Sequence, residues 1–283
     1  MKDNPLAPTE IGPHLLGRRY EPDPRDWTPE KLHATLGADP KTPPAALLDE
    51  TVRQAIGDSP FFQTWAGIRW LWRWIKANFL HPSPTPPSPP SPSDAPSWDD
   101  PVVLDQGNYG TCVGNGFAGW GDSTPVTDSF TERDARAIYY QATCIDGSCD
   151  DPDAPGGGQQ GTSVRAGAKA MQKRARLSAY AFTTNVADVV EWLNNHGPVV
   201  FGTNWYDGMF NPDAQGFVSP TGSIAGGHCF LCIDHLPGED AFLFVNSWGT
   251  SWGQGGHFRM RSAVVAQLLK EQGEACLAAE LPA

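Results

Sequence analysis

Apolar residues recur along this chain in two rhythms. In "SPFFQTWAGIRWLWRWIKANFL" Phe61, Trp65, Ile68, Trp72, Ile75 and Phe79 stand alternately four and three apart, which predicts one stripe of an amphipathic helix over 60–80. Ser59-Pro60 supplies its start, and Arg69, Arg73 and Lys76 form a basic band beside the stripe, which argues against a membrane span. Helical spacing returns in "FTERDARAIYYQAT" (130–143), "SVRAGAKAMQKRARL" (163–177) and "VADVVEWLNNHG" (186–197), the last stopped by Gly197. Beyond it the rhythm shortens. "GPVVFGTNW", "HCFLCIDHL", "AFLFVNSW" and "GHFRM" are brief apolar runs punctuated by Gly, Pro, Asn and Asp, the marks of strands. Helices followed by strands predict an α+β arrangement in two lobes.

Eight prolines between residues 82 and 96, in "HPSPTPPSPPSPSDAPS", predict an extended polyproline linker. The chain therefore divides into an N-terminal region, 1–81, the linker, 82–96, and a larger domain, 97–283. Residues 1–96 carry 10 basic and 11 acidic groups and residues 97–283 carry 10 and 21, so −11 of the net charge of −12 belongs to the larger domain. That balance argues against a nucleic-acid partner, since phosphate binding relies on a basic patch, and none is expected. The Trp-rich helix near 60–80 packs on its own protein or docks on a membrane surface or partner. "MKDNPLAPTEIGPH" lacks the apolar stretch of a signal peptide, so synthesis in the cytoplasm is expected, with virion association or a non-Sec route as the ways out.

The chemistry centres on "DQGNYGTCVGNGFAGW" (105–120). Cys112 follows Gly107, Gly110 and Thr111 and is set to open a helix, whose free N–H groups favour a thiolate. "GGHCFLCIDH" and "FVNSWGTSWGQGGHFRM" follow in order. Together these motifs resemble the papain-like cysteine peptidases, in particular a bacterial and phage branch with the form D-Q-G-x-x-G-[ST]-C. The resemblance implies a papain-like fold, a helical lobe followed by an antiparallel β-barrel-like lobe with the active-site cleft between them. It implies Cys112 as nucleophile, His228 as general base and acid, Asn246 as the group that orients the imidazole and Gln106 as oxyanion donor beside the Cys112 N–H. Trp248 would cover the Asn–His hydrogen bond and border the substrate, and Gly158 and Gly161, in "DAPGGGQQGTSVR", would bind an extended substrate backbone.

Peptide or protein substrates and no cofactor or metal are implied. The reading of the residues alone keeps open a zinc site from Cys144, Cys149, Cys229 and Cys232, and a non-catalytic binding module or another acyl transfer. The sequence departs from the family where Tyr109 takes the place of a bridging cysteine, Val113 that of a tryptophan and His257 that of a tyrosine. Gly114, Gly116, Gly119 and Gly121 weaken the helix behind Cys112 unless another element packs closely on it. "LLGRRYEPDPRDWTPEKL" (15–32) resembles the leader of that branch, which makes the N-terminal region an inhibitory prosegment or a permanent appendage.

Overall fold

A computed structural model describes residues 15–37, 98 and 100–280. The chain forms two compact units, one of residues 1–32 with 97–283 and one of 33–96. The helix expected over 60–80, and the boundaries drawn at 81 and 96, lie outside the described residues.

The larger unit is built on a buried helix, α2 (Cys112–Asp122), of which only Asp122 is not buried. The glycines of α2 answer their own helix penalty. A Cβ at Gly114 would sit 2.1 Å from the Ala135 carbonyl oxygen, and one at Gly116 would sit 2.9 Å from Cys229 Sγ, so a neighbouring helix and strand approach the backbone itself. The first neighbour is α3 (Glu132–Ile145), started by a capping box in which the Thr131 hydroxyl accepts from Asp134 N–H and the Asp134 carboxylate accepts from Thr131 N–H. Helix α4 (Val164–Lys173) follows a two-residue strand, β2 (Thr162–Ser163).

A helix was expected to continue to 177, since Lys, Arg, Gln and Ala all favour one. It stops at Arg174, Ala175 turns left-handed at φ 55°, and the chain enters strand β3 (Leu177–Thr183). Helix α5 (Val186–Asn195) then leads to β4 (Val199–Tyr206), β5 (Ile224–Leu236), β6 (Ala241–Val245), β7 (His257–Arg261), helix α6 (Ser262–Lys270) and β8 (Glu274–Glu280). The sheet is antiparallel throughout, in the order β3-β8-β4-β5-β6-β7. This is the expected α+β, two-lobed, papain-like class, helices before the main sheet. Phe201, Phe230, Phe244, Phe258 and Trp205 pack together in its core.

The N-terminal segment joins this unit. Strand β1 (Arg18–Arg19) pairs in parallel with β2, Arg18 opposite Thr162, and the short helix α1 (Pro29–Gly37) begins beyond Trp27, which bridges to Ala181.

Candidate active site

Cys112 is the first residue of α2 and has no exposed surface. Burial pushes its thiol up to about 11, against the pull of the backbone N–H groups of Gly17, Cys229 and Val113 and of the Arg18 charge. Burial in this arrangement favours the protonated thiol. Cys229 adjoins His228 on β5, so the strand that carries the imidazole also touches the sulfur.

His228 Nε2 lies 2.8 Å from Asn246 Oδ1, which also accepts from the Ser247 N–H. Asn246 directly follows β6 and is pinned by its own N–H to the Gly256 carbonyl. Trp248 is buried and stacks on the imidazole, ring centroids 4.7 Å apart, while Trp205 meets its edge at 4.9 Å. Trp248 thus lies over the imidazole with its ring facing Phe210, Trp252 and His228 inside the protein.

The Gln106 amide is fixed from both ends. Its Oε1 accepts from the Ser247 hydroxyl at 2.6 Å, which leaves the Nε2 donor to face the carbonyls of Tyr109 at 2.6 Å and Leu15 at 2.8 Å. Leu15 belongs to the leader. Two residues on, the Gly17 N–H points at the Cys112 thiol and the Gly17 carbonyl accepts from Thr162 N–H at 2.8 Å.

Of the expected substrate-loop residues, Gly161 lies against this same segment, while Gly158 lies against Tyr109 and Pro152. Both have positive φ, 75° and 67°, and a Cβ at Gly161 would fall 2.1 Å from the Gly17 carbonyl oxygen. Gly158 accepts from Gly110 N–H. The loop is held by groups that its sequence did not announce. Asp150 accepts from the N–H groups of Gly158 and Gln160 and from the Tyr139 hydroxyl, which in turn accepts from Gly161 N–H. Although burial opposes it, these donors, Gln160 first, hold the Asp150 carboxyl below the usual range.

Cys144 and Cys149 form a disulfide, while Cys229 and Cys232 are free and buried. The bridge takes two of the four cysteines from the zinc alternative. His257 hydrogen-bonds Asp100 through Nε2 at 2.8 Å.

A thiol at a helix start, an imidazole held by an asparagine and a glutamine amide aimed at the same main chain define a papain-like thiol-hydrolase site on a papain-like fold. The description "Papain family cysteine protease" matches residues 135–276, half of the chain, and the chain belongs to that family. The match begins beyond Gln106 and Cys112. A gut-specific cysteine proteinase of Caenorhabditis elegans is 28% identical over 162 residues, covering 53% of this chain and 49% of that protein. A cathepsin B-like cysteine proteinase 6 of the same organism is 32% identical over 92 residues, covering 31% and 24%. The chain thus spans about half the length, or less, of these relatives. In fold it is similar to xylellain, a cysteine protease from Xylella fastidiosa, with a TM-score of 0.51 at 18% identity over 67% of this chain and 88% of that one.

Proposed function

We propose that the chain is a cysteine peptidase held latent by its own leader. In the open form Cys112 attacks a peptide carbonyl, the oxyanion is received by Gln106 Nε2 and the Cys112 N–H, and His228 protonates the leaving amine before water clears the acyl-enzyme. One observation carries the reading: the Leu15–Arg18 main chain lies along the nucleophile, the oxyanion donor and the glycine loop at once, as an extended peptide ligand would. A glycine is required at 17, because a Cβ there would sit 1.9 Å from the Gly110 carbonyl oxygen.

The form D-Q-G-x-x-G-[ST]-C and the leader support a place in the bacterial and phage branch. The Cys144–Cys149 bridge supports a working location outside the reducing cytoplasm in which synthesis is proposed, such as a virion or an exported pool. The Trp stripe expected over 60–80 supports a docking role for that region, separate from the seal formed by the leader, and vesicle binding lost in Trp65→Ala/Trp72→Ala would test it.

Iodoacetamide labelling tests the latency directly. Cys112 in the full chain should react more slowly than free cysteine at pH 7, and in Gly17→Ala, which displaces the leader without altering residues 97–283, faster than free cysteine. Peptide cleavage should appear with that change and vanish in Gly17→Ala/Cys112→Ala. A displaced leader with a thiol still no faster than free cysteine would refute the enzyme.

A further inference from the structure

A carbonyl and the N–H that follows it belong to one planar peptide unit, so whatever grips the first also aims the second. The Cys112 N–H, one of the two donors assigned to the oxyanion, shares its peptide with the Thr111 carbonyl. One residue, a turn further along α2, holds that carbonyl twice. It accepts from the Asn115 N–H at 3.1 Å, as helix geometry dictates, and from Asn115 Nδ2 at 3.0 Å, which helix geometry does not require. Asn115 Nδ2 also lies 3.2 Å from the Thr111 hydroxyl oxygen.

Packing alone does not call for an asparagine here. Asparagine favours a helix interior less than leucine or alanine does. Asn115 is only 5% exposed, and its Oδ1 is buried without a hydrogen-bond partner. The Thr111 carbonyl can only accept, which keeps Nδ2 on its side and leaves Oδ1 as the atom that goes unsatisfied. An apolar side chain would carry neither penalty. We infer that Asn115 is a positioning residue for the reaction, one that fixes the plane of the Thr111–Cys112 peptide and strengthens its N–H as an oxyanion donor. The inference rests on the peptidase reading above.

Two features support it. Hydrogen bonds in series polarise one another, so a second donor on the Thr111 oxygen draws charge from the Cys112 nitrogen and makes its N–H the better donor. Thr111 is also the N-cap of α2, where a threonine hydroxyl ordinarily accepts from the second or third N–H of the helix. Here its side chain caps none of them, because Asn115 Nδ2 stands at the hydroxyl instead. The first-turn N–H groups are thereby left to the cleft, where the Val113 N–H acts on the Cys112 sulfur. A side chain inside the helix thus keeps the start of that helix open for chemistry.

The full chain bearing Gly17→Ala is compared with the same chain carrying Asn115→Leu, which removes the donor and keeps the site filled. Asn115→Leu should lower kcat at least tenfold with KM within about twofold, and should weaken inhibition by a peptide aldehyde by a similar factor. The aldehyde reads the same donors: the Cys112 sulfur bonds to its carbon, the carbonyl π pair moves onto the oxygen, and that oxygen takes the thiol proton through His228. Alkylation of Cys112 by iodoacetamide develops no oxyanion and should stay within about threefold. Asn115→Ala should show the same division if the leucine variant does not fold. A kcat within about twofold of the Gly17→Ala parent, a rise in KM alone, or a fall in kcat matched by an equal fall in alkylation would overturn the inference. If the Gly17→Ala chain is alkylated at Cys112 but cleaves no peptide, the peptidase reading fails, and NMR decides the positioning instead. Loss of the Asn115 donor should then move the Thr111 carbonyl-carbon and Cys112 amide-nitrogen resonances to lower frequency, and unmoved resonances would overturn it.

Discussion

Gln106 illustrates how a proposed oxyanion donor is set by neighbours that do no chemistry. An amide can turn over at little cost, and the Tyr109 carbonyl, which can only accept, fixes Nε2 on its side while the Ser247 hydroxyl donates to Oε1. Gln106→Ala should lower kcat of the opened enzyme by about 10²–10³, the usual effect of losing one oxyanion donor. Ser247→Ala should lower it less, with KM unchanged, because the donor is kept and only its aim is loosened. A rise in KM alone for Gln106→Ala would make it a binding residue. A different titration governs stability. Burial raises the Asp122 carboxyl from 3.8 to about 6, while the Phe130 N–H pulls the other way. The folded state therefore holds this proton more tightly than the unfolded chain does. That contribution is complete below about pH 4 and is lost as the pH rises through about 6. Asp122→Asn keeps an acceptor for Phe130 and should flatten the fall of melting temperature across that window; an unaltered slope would count against the assignment.

The glycine loop between α3 and β2 is an element shaped from within. Asp150 gathers Gly158, Gln160 and Tyr139, its own N–H donates to the Thr143 hydroxyl, and the adjoining Cys144–Cys149 bridge closes the end of α3. Tyr139→Phe would leave the Gly161 N–H without its acceptor, and an orphaned buried donor costs about 1–3 kcal/mol. If that shortfall falls on the substrate-bound loop, KM should rise roughly five- to hundredfold with kcat nearly constant. Loss of kcat at constant KM would place Tyr139 elsewhere in the mechanism. These partners also mark how far the sequence could be read. Cys112, His228 and Asn246 were legible because each sits in a run whose glycines and tryptophans are needed around it. Tyr139, Asp150 and Glu274 were not, since their meaning lies in contacts with residues far along the chain and no local spacing encodes them. Strand β8, "EACLAAE", and strand β3, entered from a helix-favouring run, escaped for a related reason: alanine favours helices, and burial within the sheet overrides that preference.

At the scale of the whole molecule, the proposed latency would depend on a leader fastened at several points. Residues 15–32 carry as many acidic as basic groups, so a general attraction to the acidic domain does not explain their docking. Fastening is local: the Leu15 carbonyl on Gln106, Gly17 between Gly110 and Gly161, Arg18 on Glu274, Asp26 on Arg165, and Trp27 beside Ala181. The two ion pairs are largely withdrawn from solvent, with side-chain exposures of 2% and 7% for Arg18 and Glu274 and 9% and 15% for Arg165 and Asp26. Salt screens such pairs weakly. A leader held only by surface charge would be released at about 0.5 M salt, where the Debye length is roughly 4 Å, whereas this one should stay in place. The full chain should accordingly remain inactive on a small peptide substrate at low and high salt alike. Gly17→Ala should be active in both, because it opposes the close backbone approach that seats the segment. Asp26→Asn, which removes one charge pair and keeps the steric fit, should fall between them. Activation of the parent chain by salt alone would show that charge holds the leader, and a Gly17→Ala chain as inactive as its parent would show that residues 15–19 are not the seal.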